Sequence, residues 1–193
     1  MLHTERLVLR DWRDDDLDAL AAINSDAEVM EFFPSLMTRD ESAAMIARIR
    51  ARIANDGFSF WAVENRHQGT VVGFCGLSRV PFQAAFTPAV EIGWRLARSA
   101  WGHGYALEAA RAALAFGWTR GIDSIVAFLV PSNRRSAAVA ERLGMLRDPD
   151  GDFDHPNIAP GSRSIGGHPN QRHILYRIAR QSAPAADTSA AKT

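Results

Sequence analysis

A chain of 193 residues suits one domain and suffices to bury roughly 70% of the surface its unfolded form exposes. Its 22 Lys and Arg balance 22 Asp and Glu, so no global field draws it to nucleic acid or to an anionic membrane. The single cysteine, Cys75, excludes an internal disulfide; charged residues at Glu5, Arg6 and Arg10 break any apolar leader, and no stretch approaches a membrane span, so a soluble cytoplasmic protein is expected.

Leu7-Val8-Leu9 reads as a short strand. Asp14-Asp15-Asp16 then loads acids into the first turn of a helix running to about Asn24, which assigns them to the helix rather than to a metal. The connection Met30 to Met37 is more apolar than a solvent loop requires, so it either packs on the core or walls a pocket. A second helix opens at Thr38-x-x-Glu41, the spacing of a capping box. It repeats apolar residues at Met45, Ile46, Ile49 and Ile53, and stops at Asn55-Asp56-Gly57, with Arg48, Arg50 and Arg52 expected on a solvated face.

Phe58 to Glu64 and Val71 to Ser78 form a hairpin around 65–70, leading antiparallel into the strand Val90 to Leu96. Cys75 lies in the apolar run of that hairpin and is expected to be buried as a small hydrophobe. The connection Arg79 to Pro88 holds Phe82, Phe86 and two prolines, an ordered or pocket-covering loop without assigned chemistry.

Trp101-Gly102-His103-Gly104-Tyr105-Ala106 follows, then an Ala-rich helix to Trp118 with Leu107, Ala110, Leu114 and Trp118 along one face. The first amides of a helix lack partners within it and point one way. Glycines before them either form a tight turn or let a phosphate approach that backbone and the positive end of the helix dipole. Ile125 to Val130 reads as a strand covered on both faces, so strand, helix and strand imply a parallel pair, whose diverging carboxyl ends admit a ligand.

Ser132 or Asn133 caps another helix, with Ala137, Ala140 and Leu143 inward and Gly144 as its stop. From Leu146 to Arg172 periodicity disappears, and the length of the connection suggests function. Asp152, Asp154, His155, His168 and His173 raise the question of a metal, but no pair has helical i, i+4 spacing and no zinc pattern is present. Ile174 to Ile178 is the closing strand, and 181–193, with little to bury, reads as a disordered tail behind a single domain over 1–180.

Trp101 to Ala106 resembles the cofactor loop Gln/Arg-x-x-Gly-x-Gly/Ala of the GNAT superfamily of acyl-coenzyme A dependent N-acetyltransferases, with Trp at the first position. Glu91-Ile92-Gly93-Trp94 and Thr4-Glu5-Arg6-Leu7-Val8-Leu9-Arg10 look like the branch of the ribosomal-protein alanine acetyltransferases, the RimJ/RimL-like group. Asn133-Arg134-Arg135-Ser136 with Glu141-Arg142-Leu143-Gly144-Met145 is similar to the family's Asn-x-x-Ser and Glu-Lys-Leu-Gly-Phe.

The resemblance implies an α/β fold of the α+β kind: a mixed, mostly antiparallel central sheet with a parallel pair splayed at the acyl-CoA site and helices on both faces. It implies acetyl-CoA as co-substrate without a metal, bound by Trp94, Arg95, Leu96, Trp101, Gly102, His103, Gly104, Tyr105, Ala106, Asn133 and Ser136. Glu31, Phe32 and His155 become candidates for contact with the acceptor, a small-molecule amine or a protein N-terminus, and the state is a monomer or homodimer with no nucleic acid or membrane partner.

Many members carry a general-acid Tyr after the second motif; here Met145 and Leu146 occupy that neighbourhood, which favours Ser136 as proton donor to the thiolate. Glu91 is either the base for the amine or a structural hydrogen-bonding group, with His155 and His173 in reserve. The competing readings are a non-catalytic acyl-CoA sensor and a nucleotide binder. The second lacks a third spaced glycine and a Lys-Ser/Thr pair.

Overall fold

The computed structural model describes residues 1–180; the tail expected over 181–193 lies outside the described residues. Eight strands form one sheet: β1 (Leu2–His3), β2 (Leu7–Arg10), β3 (Phe60–Asn65), β4 (Thr70–Arg79), β5 (Val90–Leu96), β6 (Ser124–Leu129), β7 (Leu146–Asp154) and β8 (Arg172–Ala179). Their order is β1-β2-β3-β4-β5-β6-β8-β7. Every neighbouring pair is antiparallel except β5 and β6, which run parallel and stay in register only at Val90 with Ile125 and Glu91 with Val126. Beyond those pairs β5 follows β4 to Leu96 while β6 follows β8 to Leu129, so the sheet opens in its middle.

Helices α1 (Leu17–Ser25) and α2 (Arg39–Asp56) pack on one face through Leu20, Ile46 and Ile49 against Ala62 and Phe74. Helices α3 (Tyr105–Thr119) and α4 (Arg134–Arg142) cover the other, where Ala109, Ala110, Ala113 and Ala140 are fully buried. The inward stripe of α3 is Ala109, Ala110, Ala113, Leu114 and Gly117, while Leu107 and Trp118, expected on it, are half-buried at its edge. Gly117 is there for proximity: a Cβ would stand 2.8 Å from Leu77 Cδ1 and 2.9 Å from Ile125 Cδ1.

The capping box of α2 is complete, with Thr38 Oγ1 accepting from the Glu41 amide at 3.2 Å and Glu41 Oε2 accepting from the Thr38 amide at 2.7 Å. Gly57, at φ 79°, ends the helix. Thr38→Ala is expected to lower stability by about 1 kcal/mol, seen as a lower urea midpoint with unchanged slope.

Three local expectations need correction. The acids Asp14–Asp16 form a 3-10 turn rather than the first turn of α1, and Asp16 is buried with both oxygens on Arg10, at 2.7 and 2.8 Å. Arg52 leaves the solvated face, because Nη1 reaches the hydroxyl of Ser78 at 3.0 Å on the sheet face that α2 covers. Residues 146–154 are a strand, not part of a connection. An edge strand tolerates Pro149 and a register shift between Asp148 and Phe153, and its carboxylates are used locally: Asp148 on Arg177, and Asp152 on the Leu175 amide and Arg147. No helix among the described residues is long and apolar enough to cross a membrane.

Candidate active site

The opening between β5 and β6 exposes a defined set of backbone groups. The Ala97 amide donates to Val72 and the Ala89 carbonyl accepts from Val80, so odd-numbered residues of β5 turn their backbone groups to β4. Ile92, Trp94 and Leu96 therefore turn theirs to the gap. The Leu96 carbonyl is taken by Trp101 Nε1 at 2.9 Å, which pins the turn before α3 to the end of β5.

In that turn Gly102 and Gly104 have φ of 80° and 77°, which an L side chain rarely adopts. The amides of Gly102, His103 and Gly104 donate to no protein acceptor among the described residues. Gly104 caps α3, and its carbonyl accepts from Glu108. The Glu108 carboxylate in turn accepts from the Thr4 hydroxyl at 2.6 Å, the Arg6 amide at 2.9 Å and Arg6 Nε at 2.7 Å. Burial alone would raise its pKa; those bonds outweigh burial and hold it below the ordinary carboxylate range. Arg6 also donates to the His103 carbonyl and lies 4.9 Å from the centre of the Tyr105 ring. The Thr4-Glu5-Arg6 stretch thus buttresses the Gly-rich turn from beneath.

A cavity of about 380 Å³ runs from this turn to the gap. Trp94, Arg95, Leu96, Trp101, Gly102, Gly104, Tyr105, Ala106, Asn133 and Ser136 line it, as do Arg135 and Arg142. His103 does not; it is exposed and stacks on Tyr105 at 5.5 Å. Asn133 both caps α4, its Oδ1 accepting from the Ser136 amide at 3.1 Å, and lines the cavity. The Ser136 hydroxyl makes no hydrogen bond among the described residues. Trp101, at the loop position where the resembling pattern has Gln or Arg, carries Arg98 and Arg135 at 5.0 and 4.5 Å from its ring, so positive charge is present beside an uncharged side chain.

A second cavity, about 470 Å³, opens on the α1 and α2 side of the gap. It shares Phe32, Phe33, Trp94, Arg95, Asn133 and Ser136 with the first, and adds Glu91, Phe128, His155 and His173. Burial pushes the Glu91 carboxyl up to about 7, against the opposing charge of Arg52. Burial also pulls His173 down to about 4 and lowers His155, so both rings are neutral near pH 7. They lie 5.2 Å apart in an aromatic wall with Phe128 and Phe153, over which Phe82 and Phe86 of the 80–89 loop close.

Glu31 lines neither cavity. Its carboxylate pairs with Arg135 and with His168 Nε2, while its carbonyl and that of Phe33 accept from Gly166 and Ile165. Phe32 stacks on His168 at 4.9 Å. The 155–171 connection is thereby bolted to the 30–37 segment, which walls both cavities. Arg52, Arg135 and Arg142 are contributors that residue pattern did not single out. Arg135 and Arg142 lay within matching motifs, but nothing in the pattern told cavity-lining arginines from the rest. Among the described residues no three His, Cys, Asp or Glu side chains gather as a metal-ligand set.

Residues 6–146 match a family model described as an acetyltransferase (GNAT) domain. The chain is 34% identical over 146 residues to the protein YkkB of Bacillus subtilis, covering 75% of this chain and 84% of that protein. An acetyltransferase structure from Agrobacterium tumefaciens superposes with a TM-score of 0.73 at 26% identity, covering 93% of this chain and 94% of that one. RimL, a ribosomal-protein alpha-N acetyltransferase solved with coenzyme A, superposes with a TM-score of 0.69 at 18% identity over 91% of this chain and 95% of its own.

Proposed function

The chain belongs to the GNAT family of acetyltransferases, and from that membership we propose that it transfers the acetyl group of acetyl-CoA by direct attack of a primary amine bound in the cavity of Glu91. The observation that carries this is the sharing of Trp94, Asn133 and Ser136 by both cavities: a thioester reaching the gap from the Gly-rich turn would meet an amine entering from the opposite face. We read residues 1–180 as one catalytic domain, working as a monomer or homodimer.

In this reading the pyrophosphate rests on the amides from Gly102 to Ala106, and the pantetheine arm follows the free backbone groups of β5. Trp94, Arg95, Leu96, Trp101, Tyr105 and Asn133 wall that path, and His103 stays at its mouth. The Trp94 amide, facing the gap, donates to the thioester oxygen; a backbone donor suits the developing oxyanion because it need not reorganise. Glu91, ionised in an appreciable fraction near pH 7, takes the proton of the incoming ammonium directly or through water. The free amine attacks the carbonyl carbon, its nitrogen gives up a proton to water as the carbon–sulfur bond breaks, and the Ser136 hydroxyl protonates the departing thiolate before regaining a proton from solvent. Phe32 and His155 contact the acceptor, while Glu31 acts through the wall it holds. The likeness to RimL supports a protein N-terminal amine, and the aromatic wall supports a smaller one.

Ser136→Ala is expected to lower kcat by about tenfold, less than the 10²–10⁴ typical of general acids because water in the open cavity replaces part of the role. Acetyl-CoA affinity should stay unchanged. Steady-state release of coenzyme A thiol, with an amine found by screening, reads the rate, and titration calorimetry reads the affinity. An equal loss of both would make Ser136 a cofactor-positioning residue.

A further inference from the structure

The cavity of Glu91 also contains a cation with no ion-pair partner among the described residues. Arg95 follows Trp94 on β5, and strand alternation turns its side chain to the α1 and α2 face, the face of Glu91. Its guanidinium lies 4.1 Å from the centre of the Phe33 ring and 5.3 Å from that of Phe74. Nη1 donates to Asn24 Oδ1 at 2.6 Å and reaches Met37 Sδ at 3.9 Å. All of these partners are neutral. Nε is buried with no acceptor, Nη2 makes no hydrogen bond, and Arg95 has no ion-pair partner among the described residues. Burial alone pulls its pKa down to about 10, with no anion to offset it.

Arg10 provides the contrast. It is buried outright where Arg95 is half-buried, and Asp16 takes two of its donors and Glu64 a third. A desolvated cation is costly unless paired. Arg95 is held in place by two rings and a fully buried Asn24 that itself donates to Ser42, so it has a fixed geometry and lacks only the anion.

We propose that Arg95 is the anion-recognising residue of the acceptor cavity, and that the acceptor is an amine carrying a carboxylate on an apolar or aromatic body. This rests on reading that cavity as the acceptor site. A carboxylate fits better than a phosphate dianion because Arg95 is the only Lys or Arg lining the cavity among the described residues, and His173, neutral at pH 7, adds no second charge. The apolar body follows from the wall, which includes Phe33, Phe60, Phe74, Met45 and Phe128. Charge-assisted bonds to a guanidinium whose Nε is already out of water discriminate strongly against the uncharged isostere.

The test compares phenylalanine, methionine and tryptophan with their carboxamides, by equilibrium binding to the coenzyme A-loaded protein, in the parent, Arg95→Met and Arg95→Lys. At least one acid is expected to bind tenfold or more tighter than its amide, with the preference lost in Arg95→Met and partly kept in Arg95→Lys. Because Arg95→Met removes an unpaired cation whose Nε is buried, it should also raise the Tm of the ligand-free protein. Equal or absent binding across all pairs overturns the proposal, as does a preference that survives in Arg95→Met, a lowered Tm in that variant, or a loss confined to coenzyme A affinity. If Arg95→Met fails to fold, the parent pairs and Arg95→Lys still decide. Coenzyme A binding by the parent is recorded first, since its absence would sink the acetyltransferase reading itself rather than the role of Arg95.

Discussion

Glu91→Gln is expected to reduce kcat/KM by about 10²–10⁴-fold, the range of a positioned general base, while coenzyme A still binds. In the parent, kcat/KM should climb as pH rises and level off above about 7, the value to which burial brings Glu91. In the variant that inflection should vanish. A variant that keeps both rate and inflection would make Glu91 a structural residue and pass the base to water or to the acceptor itself. His155 and His173 are poor substitutes, because burial lowers both and His173 to about 4, leaving weak bases near neutrality.

The same substitution has a stability signature that separates lost chemistry from lost fold. Glu91 has a native pKa of about 7 against about 4.3 in an unfolded chain, so between those values the native state binds the proton more tightly. The stability that the protonated carboxyl contributes is fully present below about 4.3 and declines as pH rises through about 7. Gln cannot ionise and escapes the decline. Thermal melts across that window should therefore show the variant gaining on the parent as pH rises, with the difference constant above it. A parallel pH dependence in both proteins would refute the buried-carboxyl account.

What the sequence disclosed about this site was its local chemistry. The strand of Glu91, the turn of Gly102 and Gly104, the Thr38 box and the Asn133 cap each depend on neighbours within a few residues, and each is legible for that reason. The parallel pair followed from strand-helix-strand order, and the structure adds that it lasts only two residue pairs. What stayed hidden depends on distant partners. Glu31 meets Arg135 and His168 across 104 and 137 residues, which turns a candidate acceptor contact into a wall fastening. Thr4 and Arg6 meet Glu108 across more than 100 residues; resemblance marked the N-terminal stretch but gave no sign that it supports the cofactor turn. Edge strand β7 was obscured because one exposed side, a proline and a bulge erase the alternation that identifies strands. Resemblance marked Arg95 only for the cofactor and pattern put Arg52 on a solvated face, because the rings around one and the strand hydroxyl beside the other come from distant elements.

Gly104→Asp is expected to weaken acetyl-CoA binding by on the order of 10²-fold or more, since juxtaposed like charges cost several kcal/mol and each 1.4 kcal/mol is a factor of ten. The backbone there stands at φ 77°, and a built Cβ meets only Arg6 Nη2, at 3.6 Å. An Asp side chain therefore fits, with its carboxylate on the amides proposed to hold the pyrophosphate. The positive end of α3 and the nearby guanidinium of Arg6 favour that carboxylate, so the fold should survive while the cradle is occupied by the protein's own charge. Gly104→Asn has nearly the same shape, tolerates the left-handed backbone about as well and lacks the charge, so its loss measures strain alone. Thermal shifts with acetyl-CoA, coenzyme A, NAD and ATP on the parent and both variants read the result. Stabilisation by the two coenzyme A forms, kept in large part by Asn and abolished by Asp, would mean that the turn senses charge. If Asp and Asn weaken binding equally, no phosphate rests on Gly102 to Ala106. The glycines would then serve only to turn the chain into α3, and the cofactor would have to be held by Arg135 and Arg142, which line the same cavity from α4.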